Sequence, residues 1–354
     1  MKKHKERRSF LKNFFSLSAF IIGSGLLFSK NKYFNFEKIS RKEALAIGNN
    51  DKKVKKIAVE EHAQKQDLDQ LDKRLKDMDE AGIDMQVFSF DIGNTEGHSR
   101  SEDISAARNA NETLSKIVEK YPEKFACYAT LPMRYPDAAA NELERAVKQL
   151  GLKGPLIYSG RTTSGYLDER QYWGIYETAE KLDVPVYLHP GMVLPDMSKP
   201  YMTYRVLSGA MWGAAASTSL NAMRMILGGV FDTYPGLKIL LGHLGEGIPY
   251  WLWRMDKHYV QGQVMVEEDA PGSNLTKKPS EYFMDHFYVT TSGMSWQPVL
   301  QFVLSVLGAD RVLFSADYPP ESALEAARFI DSMPITDSDR EKICHLNAEK
   351  LFRL

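Results

Sequence analysis

The chain has 354 residues, 44% of them hydrophobic and 26% charged, an ordinary globular composition with enough apolar material for a large core. Lysine and arginine total 45 against 46 acidic residues, leaving a formal net charge of -1. Without a basic stripe or interleaved basic and aromatic residues, this balance argues against nucleic acid as a partner.

The first thirty residues differ from the rest. Arg7-Arg8-Ser9-Phe10-Leu11-Lys12 precedes an apolar run from Phe14 to Phe28 that only serine, alanine and glycine dilute. A basic stretch before a moderate hydrophobic segment reads as an export signal, and the paired arginines resemble the twin-arginine type. The run is shorter than the ~20 residues that a membrane-spanning helix needs. Residues 1–30 are therefore expected to engage the twin-arginine export machinery and direct the protein to the periplasm. No Ala-x-Ala cleavage site follows, so an uncleaved signal retaining the protein at the membrane is the alternative. Residues 31–53, rich in Lys, Asn and Ser, read as a linker, and 54–354 as the folded domain.

From Val54 onward, short β-branched or aromatic runs alternate with longer amphipathic segments. Strands are expected at Ile57–Glu60, Met85–Phe90, Phe125–Leu131, Leu156–Tyr158, Val186–His189, Ile239–His243, Phe287–Thr291 and Val312–Ser315. Helical periodicity marks Leu68–Ala81, Ser105–Tyr121, Pro136–Leu150, Gln171–Leu182, Leu220–Tyr234, Ile248–Tyr259 and Pro298–Leu307. Ser322–Ile330 and Asp337–Phe352 would complete an outer ring. Gly82, Gly151 and Gly308 sit where helix C-termini call for a left-handed residue. Eight strand–helix units predict an α/β fold, a closed (β/α)8 TIM barrel. An open doubly wound sheet is the runner-up, but no strand is followed by Gly-x-Gly-x-x-Gly. Cys127 falls in a core strand and Cys344 in the last helix, which predicts two inert buried thiols.

Ionisable residues end several of these strands. Glu60 and His62 alternate on one face of the first, with Glu61 pointing away. His189 ends the fifth, His243 the sixth and Asp317 follows the eighth. In a barrel these ends converge on one mouth. Histidine nitrogen and carboxylate oxygen can hold zinc or manganese, so Glu60, His62, His189 and Asp317 form a candidate ligand set. Glu246, three residues beyond His243, can orient that imidazole for acid–base work.

Glu60-Glu61-His62, Tyr187-Leu188-His189-Pro190, Leu241-Gly242-His243-Leu244-Gly245-Glu246-Gly247, Trp253-Arg254-Met255-Asp256, Thr290-Thr291-Ser292-Gly293 and Phe314-Ser315-Ala316-Asp317-Tyr318-Pro319 occur in this order. Together they resemble the amidohydrolase-related metal-dependent decarboxylases of the γ-resorcylate and aminocarboxymuconate semialdehyde type, over the chain from Lys56 to Leu354. The resemblance implies an amidohydrolase-like barrel with one divalent ion, Zn2+ or Mn2+, held by Glu60, His62, His189 and Asp317. It implies a catalytic group of Asp317, His243 and Glu246, a substrate-binding Arg254 near a subunit interface, and a homo-oligomer, dimer or tetramer. Strand four ends in Tyr158-Ser159, with no lysine to bridge a second metal. Two departures bear on the substrate. The short Ala63–Asp67 segment replaces the longer lid of resorcylate-type enzymes, and Tyr158-Ser159 replaces an Asn-Gly pair.

The expected activity is a non-oxidative decarboxylation of a small aromatic or unsaturated carboxylic acid. The alternative uses the same residues for metal-dependent hydrolysis of a lactone, ester or amide, with metal-bound water as the nucleophile.

Overall fold

The computed structural model describes residues 54–92, 98–159, 166–191, 193, 198–260 and 275–354; the expected signal and linker lie outside them. Eight parallel strands form the centre: β1 (Ile57–Ala63), β2 (Met85–Phe90), β3 (Phe125–Cys127), β4 (Leu156–Tyr158), β5 (Val186–His189), β6 (Ile239–Leu241), β7 (Phe287–Thr290) and β8 (Val312–Leu313). Continuous ladders join β1-β2-β3 and β4-β5-β6-β7-β8. A parallel bridge between Ala129 and Pro155 links the two sets. Val59 N–H donates to the Phe314 carbonyl at 3.2 Å and Asp317 N–H to the Glu60 carbonyl at 3.1 Å. These bonds tie β8 back to β1, so the sheet closes into the expected barrel.

Around it run α1 (Leu71–Ala81), α2 (Arg100–Lys120), α3 (Pro136–Leu150), α4 (Trp173–Leu182), α5 (Gly213–Leu227), α6 (Ile248–Val260), α7 (Pro279–His286), α8 (Gln297–Leu307), α9 (Ala323–Ser332) and α10 (Asn347–Phe352). Ser99 starts α2 with a reciprocal capping box to Glu102, so that helix begins five residues before its apolar periodicity does. Gly82 and Gly151 end α1 and α3 in the left-handed conformation, as expected, whereas Gly308 pairs its positive φ with an extended ψ of 165°. The helix expected over Leu220–Tyr234 is replaced by α5 and a short turn, Val230–Thr233, separated at Gly228-Gly229. The terminal helix is likewise interrupted by a π-helical turn over Lys342–Leu346.

Two apolar layers follow from strand alternation. One residue set packs inside the barrel: Ile57, Val59, Val87, Ala126, Tyr128, Leu156, Tyr187, Leu240 and Leu313, with Ala348, Leu351 and Phe352 of α10 filling the same cluster. The alternating set, including Phe88, Cys127, Ile157, Leu188, Leu241, Val289 and Phe314, faces the helices. Cys127 and Cys344 are buried free thiols. Burial pushes the Cys344 thiol up to about 12 and Cys127 higher still, so neither is reactive.

β1 carries an irregularity that matters for the site. Its register against β2 shifts between Ala58 and Glu61, a bulge that lets Val59 stay in the barrel interior while Glu60 also turns into the mouth. Two of the backbone groups at the shift are satisfied by side chains. Tyr128 Oη donates to the Val59 carbonyl at 2.6 Å, and Glu60 N–H donates to Ser315 Oγ at 2.6 Å.

Candidate metal centre

Glu60, His62, His189 and Asp317 each present one ligand atom, and these atoms all lie within 4.8 Å of one another. Two donors on opposite sides of one ion stand about 4.2 Å apart, so a single ion fits after small closing movements. The tautomers are prepared for it. His189 Nδ1 lies 2.8 Å from the Pro190 carbonyl, which can only accept, so the proton sits on Nδ1 and leaves Nε2 free. His62 Nδ1 lies 3.0 Å from Ser89 Oγ. Glu60 Oε1, His62 Nε2 and His189 Nε2 are all buried without a hydrogen-bond partner. His189 Nε2 faces Glu60 Oε1 and His62 Nε2 faces Asp317 Oδ1, each at 3.2 Å; with the His189 proton on Nδ1, lone pair faces lone pair there, an arrangement that a divalent cation satisfies.

The Glu60 carboxylate is fixed by its other oxygen. Thr290 Oγ1 donates to Oε2 at 2.5 Å, and Ser292 Oγ donates to the same atom. Burial opposes ionisation of Glu60, but His243 and His189 outweigh it and hold the carboxyl at about 2. Gly242 leaves the room this carboxylate occupies: a Cβ there would stand 2.6 Å from Oε1.

The acid–base pair is built by an unusual backbone. His243, Leu244, Gly245, Glu246 and Gly247 all have φ between 52° and 87°, forming one left-handed turn directly after β6. Three of the five are not glycine, at a cost of roughly 1–2 kcal/mol each. Leu244 N–H to the Thr290 carbonyl, 2.8 Å, and Ser219 Oγ to the Glu246 carbonyl, 2.6 Å, help hold it. This turn places His243 Nδ1 2.7 Å from Glu246 Oε1. The other ring nitrogen, Nε2, lies 3.5 Å from Asp317 Oδ2, while Asp317 Oδ1 lies 3.2 Å from His62 Nε2. Asp317 thus joins the ligand group to the acid–base pair, and it too has a left-handed φ, 70°. Such strain concentrates at functional sites. Burial resists charging of His243, but Glu246, Glu60 and Asp317 raise its pKa well above the ordinary imidazole range. Burial likewise opposes ionisation of Asp317, yet His243 and His62 hold it well below the usual carboxylate range.

The structure therefore brings together six of the seven residues expected to form the site. Arg254 is the exception. It is exposed on α6 and, among the described residues, makes no hydrogen bond or ion pair with any of the six. Tyr204 and Trp212, between β5 and α5, are 67% and 63% exposed in the single chain. Ser89, Thr290, Ser292 and Gly242, which orient or accommodate the ligands, carry no signal in strand-end spacing. Their trace is polar or missing side chains in otherwise buried runs.

The match to the amidohydrolase family covers residues 59–354, and the chain belongs to this family. Within it, a γ-resorcylate decarboxylase of Polaromonas sp. strain JS666 is 39% identical over 81% of this chain and 88% of that protein. The crystal structure of 2,6-dihydroxybenzoate decarboxylase from Rhizobium superposes with a TM-score of 0.77 at 35% identity, covering 85% of this chain and 99% of that one. A dihydroxybenzoic acid decarboxylase from Polaromonas sp. JS666, solved with manganese and the inhibitor 2-nitroresorcinol, gives 0.77 at 36% identity over 85% and 97%.

Proposed function

We propose that this protein is a metal-dependent, non-oxidative decarboxylase of a small aromatic acid bearing a hydroxyl beside its carboxylate. The observation that carries this reading is the convergence of four donors, three of their atoms buried and unpartnered, with Asp317 shared between them and the His243–Glu246 pair. The relatives named above act on γ-resorcylate and 2,6-dihydroxybenzoate, and this substrate class is extended from them. Glu60, His62, His189 and Asp317 would hold one ion, with Mn2+ favoured over Zn2+ by the manganese in the Polaromonas enzyme. When bound, a divalent cation supplies Lewis-acid charge to the substrate's carboxylate and hydroxyl oxygens.

The chain's own residues would move the protons. Asp317, ionised at rest, would take a proton from the His243 imidazolium and pass it to the ring carbon bearing the carboxylate, whose C–C bond then breaks to release CO2. His243 Nε2, 3.5 Å from Asp317 Oδ2, is placed to supply that proton, and Glu246 keeps the ring turned toward Asp317. The net change is one proton taken up for each CO2 released.

The test is incubation of hydroxybenzoates, 2,6-dihydroxybenzoate first, in heavy water. CO2 release with deuterium at the vacated ring carbon supports the reading. Solvent oxygen in the product without CO2 would establish hydrolysis instead.

A homo-oligomer remains part of this reading. Tyr250 and Trp253 on α6 are 71% and 73% exposed, and the exposed Arg254 follows directly on the same helix, which supports a role for it at a subunit contact. Light scattering on the purified protein decides the assembly. The export reading rests on Arg7-Arg8 and the apolar run after them; replacing both arginines with lysine should trap the protein in the cytoplasm.

A further inference from the structure

Glu61, the middle residue of Glu60-Glu61-His62, points away from the four donors yet is wholly buried. A carboxylate on the outer face of a barrel strand is costly to bury unless donors meet it. Here three do, and all come from the segment after β8. Ser315 Oγ donates to Oε1 at 2.9 Å, Ala316 N–H to Oε1 at 3.0 Å, and Tyr318 N–H to Oε2 at 2.8 Å. The two backbone donors flank Asp317, whose left-handed conformation needs support from outside itself.

The link is doubled through the backbone. Asp317 N–H donates to the Glu60 carbonyl at 3.1 Å and His62 N–H to the Tyr318 carbonyl at 2.8 Å. Ser315 Oγ accepts from Glu60 N–H while donating to Glu61. Behind it, the buried Arg74 donates to the His62 carbonyl, with Nη1 2.8 Å from Gln86 Oε1 and its guanidinium 4.8 Å from the Tyr318 ring.

We infer that Glu61 is a positioning residue: it fixes the Ser315–Tyr318 segment so that Asp317 reaches the ion and His243 together. The inference rests on the proposed role of Asp317 and extends it to a residue that touches neither substrate nor metal.

The test uses the full chain, with Mn2+ affinity measured by titration of the metal-stripped protein and kcat and KM measured on the loaded enzyme. Glu61→Gln keeps the side-chain volume but sets an amide NH2 against at least one of the three donors. It should weaken Mn2+ binding roughly 10–100-fold and lower kcat by a similar factor, the usual effect of losing a partner behind a metal ligand, with KM unchanged. Ser315→Ala, which removes the Oγ bonds to both Glu61 and the Glu60 N–H, should weaken Mn2+ roughly 5–30-fold, the worth of one to two hydrogen bonds; unchanged affinity there overturns the role if Glu61→Gln does not fold. Met78→Ala, a buried truncation on α1, should lower the melting temperature and leave Mn2+ affinity unchanged. Wild-type affinity and kcat in Glu61→Gln, or equal metal loss in Met78→Ala, would overturn the positioning role. Asp317→Asn separates the two readings. If it binds Mn2+ and turns over normally, the role of Asp317 itself is wrong; if it fails while Glu61→Gln does not, only the inference about Glu61 falls.

Discussion

Replacing Gly242 by alanine should cost the metal while leaving the fold standing. The added Cβ would lie 2.6 Å from Glu60 Oε1 and 2.9 Å from Oε2, whereas ordinary contact begins at 3.4 Å. Oε1 must therefore retreat by about 0.8 Å, against a tolerance of about 0.2 Å in a metal–ligand bond. Retreat is not free, because Thr290 and Ser292 pin Oε2 from the far side. The Gly242 backbone itself has no positive φ, so alanine is tolerated there apart from this contact. We expect Mn2+ affinity to fall by roughly 10²-fold or more and turnover with it, alongside about 1–3 kcal/mol of overpacking. Titration calorimetry of the metal-stripped protein gives the affinity, and urea unfolding the stability. Gly209→Ala, where a Cβ meets nothing within 4 Å, serves as the control and should match wild type. Wild-type Mn2+ affinity in Gly242→Ala would mean that Glu60 is not a ligand.

His243→Asn should keep the ion but reduce turnover by roughly 10²–10⁴-fold, whereas Asp317→Asn should damage both; metal analysis after dialysis separates them, and loss of the ion in His243→Asn would make His243 a ligand. Glu246 raises the His243 pKa, so if the imidazolium is the working form, the rate falls as pH rises through that pKa. In Glu246→Gln the fall should come at lower pH, by roughly one unit or more, in a kcat/KM profile; an unmoved alkaline limb would assign it to another group. Tyr128→Phe should leave metal content intact but cost about 1–3 kcal/mol in denaturant unfolding, because the buried Val59 carbonyl loses its donor.

Strand–helix alternation made the barrel legible, since an all-parallel sheet needs a crossover helix between strands and each leaves its own period. The Glu60/His62 spacing and the apolar runs halting at His189, His243 and Asp317 made the ligand set legible too. What stayed hidden has physical causes. Strands β3, β6 and β8 stop short of the apolar runs that encode them; at Ser315, just past β8, the backbone N–H and carbonyl both meet the Thr291 hydroxyl rather than a neighbouring strand's backbone. The eight-residue α7 is too brief to show an amphipathic period against Tyr282, Phe283 and His286 alone. The β1 bulge is invisible because simple alternation already places Glu60 and His62 together; only the presence of Val59 in the same interior reveals the extra residue. The left-handed turn at 243–247 contains glycine at just two of five positions, so composition does not announce it.

The bonds between β1 and the segment after β8 also say when the centre can exist during synthesis. Glu61 and Tyr318 are 257 positions apart, and the cluster inside the barrel includes Leu351 and Phe352. A ribosome-bound chain that has displayed Glu60, His62 and His189 lacks Asp317 until nearly the whole polypeptide has emerged, so early capture of an ion has at most three of its four ligands. Ring closure is then the slow, long-range step, and it is the same event that completes the coordination shell. Metal supplied during refolding should consequently raise the yield of native protein by trapping the closed ring, without speeding the formation of its individual strand–helix units.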